Sequence, residues 1–136
     1  MKIGVKIWPD RLHQLKGLSK FCDFIELMVP PSLKKVKKVD IPLTIHAPHS
    51  RFKMNPADSR LDSWNTKLME QTIRIADQVK SKIIVLHAGE LLNKSCSVKK
   101  VTSVLSKHKD VLITASWPIF NRFRKAVLSM PNYGAT

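Results

Sequence analysis

Acidic residues are scarce in this 136-residue chain: 10 Asp and Glu stand against 24 Lys and Arg, a formal charge of +14. The shortage is deepest near the end, where residues 91–136 hold a single acid, Asp110. Such a surplus attracts phosphate-bearing partners, sugar phosphates and nucleic acid alike, and it equally describes a solvated Lys-rich surface. Cysteine is scarce too. Cys22 and Cys96 are too few and too far apart for a disulfide framework or a Cys-rich zinc site. Cys22, inside "KFCDFIEL", reads as a small buried hydrophobe. The four glycines form no GxGxxG, no Walker A pattern and no Gly-x-Ser-x-Gly, so nothing points to serine-based hydrolysis. No apolar run reaches the roughly 18 residues of a membrane span. The opening "MKIGVKIWPD" carries lysines where a signal peptide needs an unbroken apolar stretch. The expectation is a soluble, cytoplasmic protein with no membrane partner.

What is present is a rhythm. "KIGVKIW" (2–8), "DFIELMV" (23–29), "IPLTIHA" (41–47), "KIIVLHA" (82–88) and "VLITAS" (111–116) read as five strands. Helical stretches are expected at about 10–20 and 97–109, and a turn or short helix in the Lys-rich "SLKKVKKV". The strongest helix signal is "RLDSWNTKLMEQTIRIADQV". There Leu61, Trp64, Leu68, Ile75 and Val79 share one side, with Thr72 completing the stripe and Asp58 or Ser59 placed to cap it. The unbroken apolar run of the fourth strand suits a strand covered on both faces. Residues 119–128 admit a short helix within an irregular basic tail, 118–136.

Strands alternating with helices mean βαβ units and a parallel sheet, either an open doubly wound sheet or part of a (β/α)8 barrel. In such folds the C-terminal strand ends form the active face. Glu26, His46, His49, His87 and Glu90 all fall at or just after those ends, so they should gather on one rim. Imidazoles and carboxylates converging in a cleft suit a divalent metal that polarises a carbonyl or activates a water. Glu26, inside an apolar strand, needs a cation, metal or hydroxyl partner, because an unpaired buried carboxylate costs several kcal/mol. His13 and His108 lie in helical stretches and read as surface residues. Trp117, Phe120, Phe123 and Tyr133, interleaved with Arg122, Arg124 and Lys125, read first as a helix packing its aromatic side, and second as a base-stacking surface.

Taken together, "FIELMVP", "IPLTIHAPHSRFKMNPAD", "IADQVKSKIIVLHAGE" and "WPIFNRFRK…MPNYGAT" resemble the xylose isomerase-like TIM-barrel superfamily. That group includes sugar phosphate isomerases and epimerases and the endonuclease IV-like enzymes of abasic-site repair. The resemblance implies one domain, 1–136, built as a partial (β/α)8 barrel of about five parallel strands with four intervening helical segments. It implies a zinc, manganese or magnesium site at the strand ends, with His49 and His87 as metal ligands and His46 and Asn55 lining the same mouth to bind substrate. Glu26 matches the family's strand-two glutamate. Glu26 and Glu90 are the carboxylates on the rim, and hence the candidates for catalytic proton transfer. Two departures stand against full activity. Ala115 and Ser116 replace the Glu-Asn that commonly ends the fifth strand, and alanine cannot ligate a metal. A complete barrel also needs about 250 residues, so the family's remaining ligands are expected on strands outside this sequence.

The functional expectation is a metal-dependent sugar or sugar-phosphate isomerase or epimerase domain, weak or inactive as an isolated half-barrel. The alternatives are an endonuclease IV-like, zinc-dependent phosphodiesterase acting on abasic DNA, or a non-catalytic basic fragment binding nucleic acid or a protein. Expected partners are the sugar phosphate or abasic DNA itself, together with a second copy or a separate half-barrel chain that covers the open strand edges.

Overall fold

The computed structural model describes residues 2–37 and 39–107, together with the backbone of a strand at 112–116. The chain is α/β. Strands β1 (Gly4–Ile7), β2 (Phe24–Met28), β3 (Leu43–His46) and β4 (Ile83–His87) pair in chain order, each parallel to the last. The backbone of β5 (Leu112–Ser116) runs parallel along β4. The aromatic and basic residues at 117–136, and His108, lie outside the described residues. No helix among the described residues is long and apolar enough to cross a membrane.

Period-two alternation sets the two faces of the sheet. Ile25, Leu27, Ile45, Ile84 and Leu86 are fully buried. They form one core with Leu68, Met69, Ile75 and Ala76 of helix α2 (Asp62–Gln78). The intervening residues point the other way. The parallel registers align Lys6 with Glu26 and Thr44, then Met28 with His46 and Val85. This second face is the polar one. β4 illustrates the contrast: Ile84 and Leu86 are buried, whereas Ile83, Val85 and His87 are partly or wholly exposed. Among the described residues the apolar run is buried more deeply on one side than on the other, although its composition suited burial on both.

Between β1 and β2 the chain forms a 3-10 turn, Pro9–Gln14, and a single helical turn, α1 (Leu15–Leu18). Pro9 opens that turn where its missing N–H would have no partner. The Lys-rich stretch after Pro31 forms no helix among the described residues. Its like charges, close together, repel rather than pair. Asp58 is a cap, as its position predicts, but of a 3-10 turn, Ser59–Leu61, that leads into α2. The helix turns Asn65, Leu68, Met69, Thr72, Ile75 and Ala76 inward. Thr72 donates its hydroxyl to Leu68 O at 2.7 Å, which satisfies it in the core. Trp64, at the stripe's edge, is half-buried and donates its indole N–H to Phe52 O at 3.0 Å. The helix ends with Lys80 in the left-handed region (φ 55°), Ser81 N donating to Ala76 O and Lys80 N to Asp77 O. Helix α3 (Val98–Ser106) starts at Ser97, whose side chain accepts from Lys100 N. Cys22 is half-buried against the main core, and both cysteines are free.

Candidate functional site

All strands being parallel, their C-terminal ends share one rim. There the last residues of β3 and β4, His46 and His87, meet His49 of the loop after β3. Ring centroids are 5.0 Å apart for His46–His87, 5.6 Å for His49–His87 and 6.1 Å for His46–His49. The register explains the closest pair. His46 sits opposite Val85, so His87, two residues further along the same face, is its diagonal neighbour.

His46 is 1% exposed. Its Nδ1 donates to Ala47 O at 2.7 Å, which leaves the Nε2 lone pair pointing at His87 Nε2, 3.2 Å away. Burial pushes the His46 pKa down to about 4, against the opposing effect of the Ala47 carbonyl. Burial also lowers His49, with His87 next in effect, and lowers His87, with Lys6 next. At neutral pH the cluster is therefore uncharged, the state in which imidazole binds metals.

Glu26 stands beside the cluster. Its Oε1 is 3.3 Å from Lys6 Nζ and 3.9 Å from His46 Nε2. Because His46 is neutral, the Lys6 contact is the ion pair. Lys6 is a site residue missed by the sequence reading. The signal was there: it occupies in "KIGVKIW" the alternation that Glu26 occupies in the next strand.

Asn55 is not at an open mouth. It is 8% exposed, and its side chain ties the two loops together. Oδ1 accepts from Ala57 N and Glu90 N, and Nδ2 donates to Glu90 O. Asn65, buried in α2, holds the Asn55 backbone in turn. Gly89 permits this contact, since its φ is +93° and a Cβ there would overlap Asn55 Oδ1. A second tie lies nearby. Asp58 is gripped by the Arg60 guanidinium and by the Ser95 hydroxyl, which hold its carboxyl well below the usual carboxylate range. Glu90 uses its backbone in the Asn55 tie; its exposed side chain lines a cavity beside the cluster and makes no ion pair among the described residues. The rim continues through Phe52, whose ring lies 5.9 Å from His49 and 6.1 Å from Trp8, with Arg51 over the Trp8 ring at 5.5 Å.

Two nitrogens bound tetrahedrally to zinc at about 2.0–2.1 Å lie about 3.3–3.4 Å apart. The His46–His87 separation of 3.2 Å matches that spacing. As a hydrogen bond, however, it has His87 Nε2–H donating to His46 Nε2, and a metal there would need the His87 proton on Nδ1 instead. The Ala47 carbonyl supplies the second-sphere contact that orients a ligating imidazole. His49 fits less well, because its Nδ1 accepts from Arg51 N at 3.3 Å, which places the proton of the neutral ring on Nε2. Among the described residues no group of three or more His, Cys, Asp or Glu is arranged to hold a metal ion. The pair alone supplies fewer ligands than such a site needs. No family model matches the chain, and no curated protein matches it.

Proposed function

We propose that the chain contributes the β1–β4 side of a (β/α)8 barrel of the sugar or sugar-phosphate isomerase and epimerase type, with a divalent metal at the strand ends. The observation that carries the reading is the neutral His46–His87 pair, its Nε2 atoms 3.2 Å apart on the polar face of a parallel sheet. A metal held there would polarise a carbonyl or hydroxyl oxygen of the substrate. Imidazole donors favour zinc over magnesium or manganese. His46 and His87 hold the ion in this reading, in place of the His49–His87 combination, and the remaining ligands come from outside the described residues.

Glu26 is better placed than Glu90 to move a proton, because it lies 3.9 Å from His46 Nε2. Lys6 orients Glu26 and adds positive charge where a phosphate would approach. Asn55 acts indirectly, by fixing the loops that carry His49 and Glu90.

A second reading, an endonuclease IV-like phosphodiesterase on abasic DNA, is favoured by the +14 charge. Exposed Arg51 and Lys53 beside His49 add to it. One experiment separates these: zinc-loaded protein is assayed on a panel of sugar phosphates and on an abasic duplex, with His87→Ala alongside. Metal-dependent turnover of a sugar phosphate, lost in the variant, supports the first reading, and cleavage of the duplex supports the second. Salt-sensitive DNA binding that zinc and His87→Ala leave unchanged supports a purely basic binding fragment.

A further inference from the structure

A cavity of about 490 Å³ opens between the loops that follow β3 and β4. Its volume falls in the range of small-molecule sites, roughly 300–1,000 Å³. His87 forms part of the wall, so the cavity adjoins the imidazole pair. Most of the exposed surface of the lining is apolar, although polar residues outnumber apolar ones in it: Met54 is 2% exposed, Leu61 is half-buried, and Leu92 is 69% exposed. Neighbouring Leu91 is 50% exposed. Two adjacent leucines held in solvent beside an apolar hollow form a surface that gains by being covered. Two of the polar groups that line the hollow are already used. Asn55 is saturated by the two loops and Asp58 by Arg60 and Ser95. Ser50, Lys53, Arg60 and Glu90, also in the lining, are exposed. The walls are also pinned by those ties, so the hollow is preformed rather than opened by its occupant.

Against Met54, Leu61 and Leu92 a bare polyol fits poorly, since its hydroxyls would leave water there without gaining partners. We infer that the cavity receives an apolar arm of the ligand, so that the substrate class is a sugar or sugar-phosphate derivative carrying an aryl or alkyl substituent. The polar end of the molecule lies against His87 and the apolar end against Met54, Leu61 and Leu92. The sugar part of this inference rests on the function proposed above; the apolar arm rests on the cavity itself.

The test titrates the 136-residue protein with phenyl β-D-glucoside and, separately, with methyl β-D-glucoside. It follows the Met54 methyl and His87 ring signals by NMR. The phenyl compound is expected to bind at least tenfold tighter and to shift the Met54 methyl through its ring current. Leu92→Glu, an exposed change that leaves the core intact, is expected to reduce that preference at least threefold. Zinc binding at His46 and His87 is expected to stay as it is in Leu92→Glu. Equal binding of the two glucosides, no binding of either, or a preference that survives Leu92→Glu overturns the inference. A tight apolar arm without any zinc site would leave the cavity standing and remove the metal-dependent reading, so the two failures are distinguishable.

Discussion

Leu27 and Glu26 are neighbours in β2, yet they belong to different environments. Leu27 is fully buried against the helix layer, while the Glu26 side chain is 25% exposed beside Lys6 and a neutral imidazole. The same division runs through β3 and β4, where Ile45 and Leu86 face the core and His46 and His87 face away from it. One face of the sheet is shaped by close packing and removal of apolar area from water. The other also buries Met28 and His46, but it brings Lys6, Glu26 and the imidazoles together. The two faces therefore respond differently: removing a methyl from the first damages stability, whereas altering the second changes protonation.

Substitution sharpens this contrast most strongly in the core. Leu27→Ala is expected to lose about 2–5 kcal/mol by urea unfolding, whereas Lys6→Ala, across the sheet, is expected to lose no more than about 1 kcal/mol. Comparable losses for the two would break the comparison.

Next in size is a pH effect. His46 is neutral when folded, its pKa held near 4, whereas the unfolded ring has its ordinary value of 6.5. Below pH 6.5 the unfolded chain takes up a proton that the folded chain refuses. Stability is therefore complete above 6.5 and falls towards pH 4, by an amount on the order of 3 kcal/mol. His46→Gln is expected to flatten that part of the profile, as measured by denaturant midpoints at pH 7 and pH 4.5.

A smaller effect is expected at the loop tie. Gly89→Ala forces a Cβ into Asn55 Oδ1 from a positive φ, and should lose about 1–3 kcal/mol. It should also raise amide exchange at Ala57 and Glu90, whose N–H groups bond to that oxygen. The smallest effect has the opposite sign. Lys80 closes α2 in a left-handed conformation that suits glycine, so Lys80→Gly should raise stability by about 0.5–1 kcal/mol in thermal unfolding.

Much of this was legible beforehand. Each of β1 to β4 falls within the run that its alternation or apolar content marks, and α2 follows the spacing of Leu68, Thr72 and Ile75. Parallel strand ends were enough to expect His46, His49 and His87 on one rim. They were not enough to choose the closest nitrogens. That choice depends on the β3–β4 register and on the Ala47 carbonyl that sets the His46 tautomer, both of which are tertiary. Asn55 was assigned to the mouth because it matches a position that the resemblance places there. Its actual partners lie across the β4 loop, in reach only because of the conformation of Gly89. Lys6 was legible in principle, but a lysine in a strand reads as solvated until its neighbour is known to carry Glu26.

The central claim is that His46 and His87 present their Nε2 atoms to a divalent metal. Long-range proton–nitrogen NMR of the imidazoles at pH 7, with and without zinc, tests it most directly. The account predicts that the Nε2 signals of His46 and His87 move together at one equivalent of zinc while His46 Nδ1 keeps its proton. A response confined to His49, or no response at all, would contradict it.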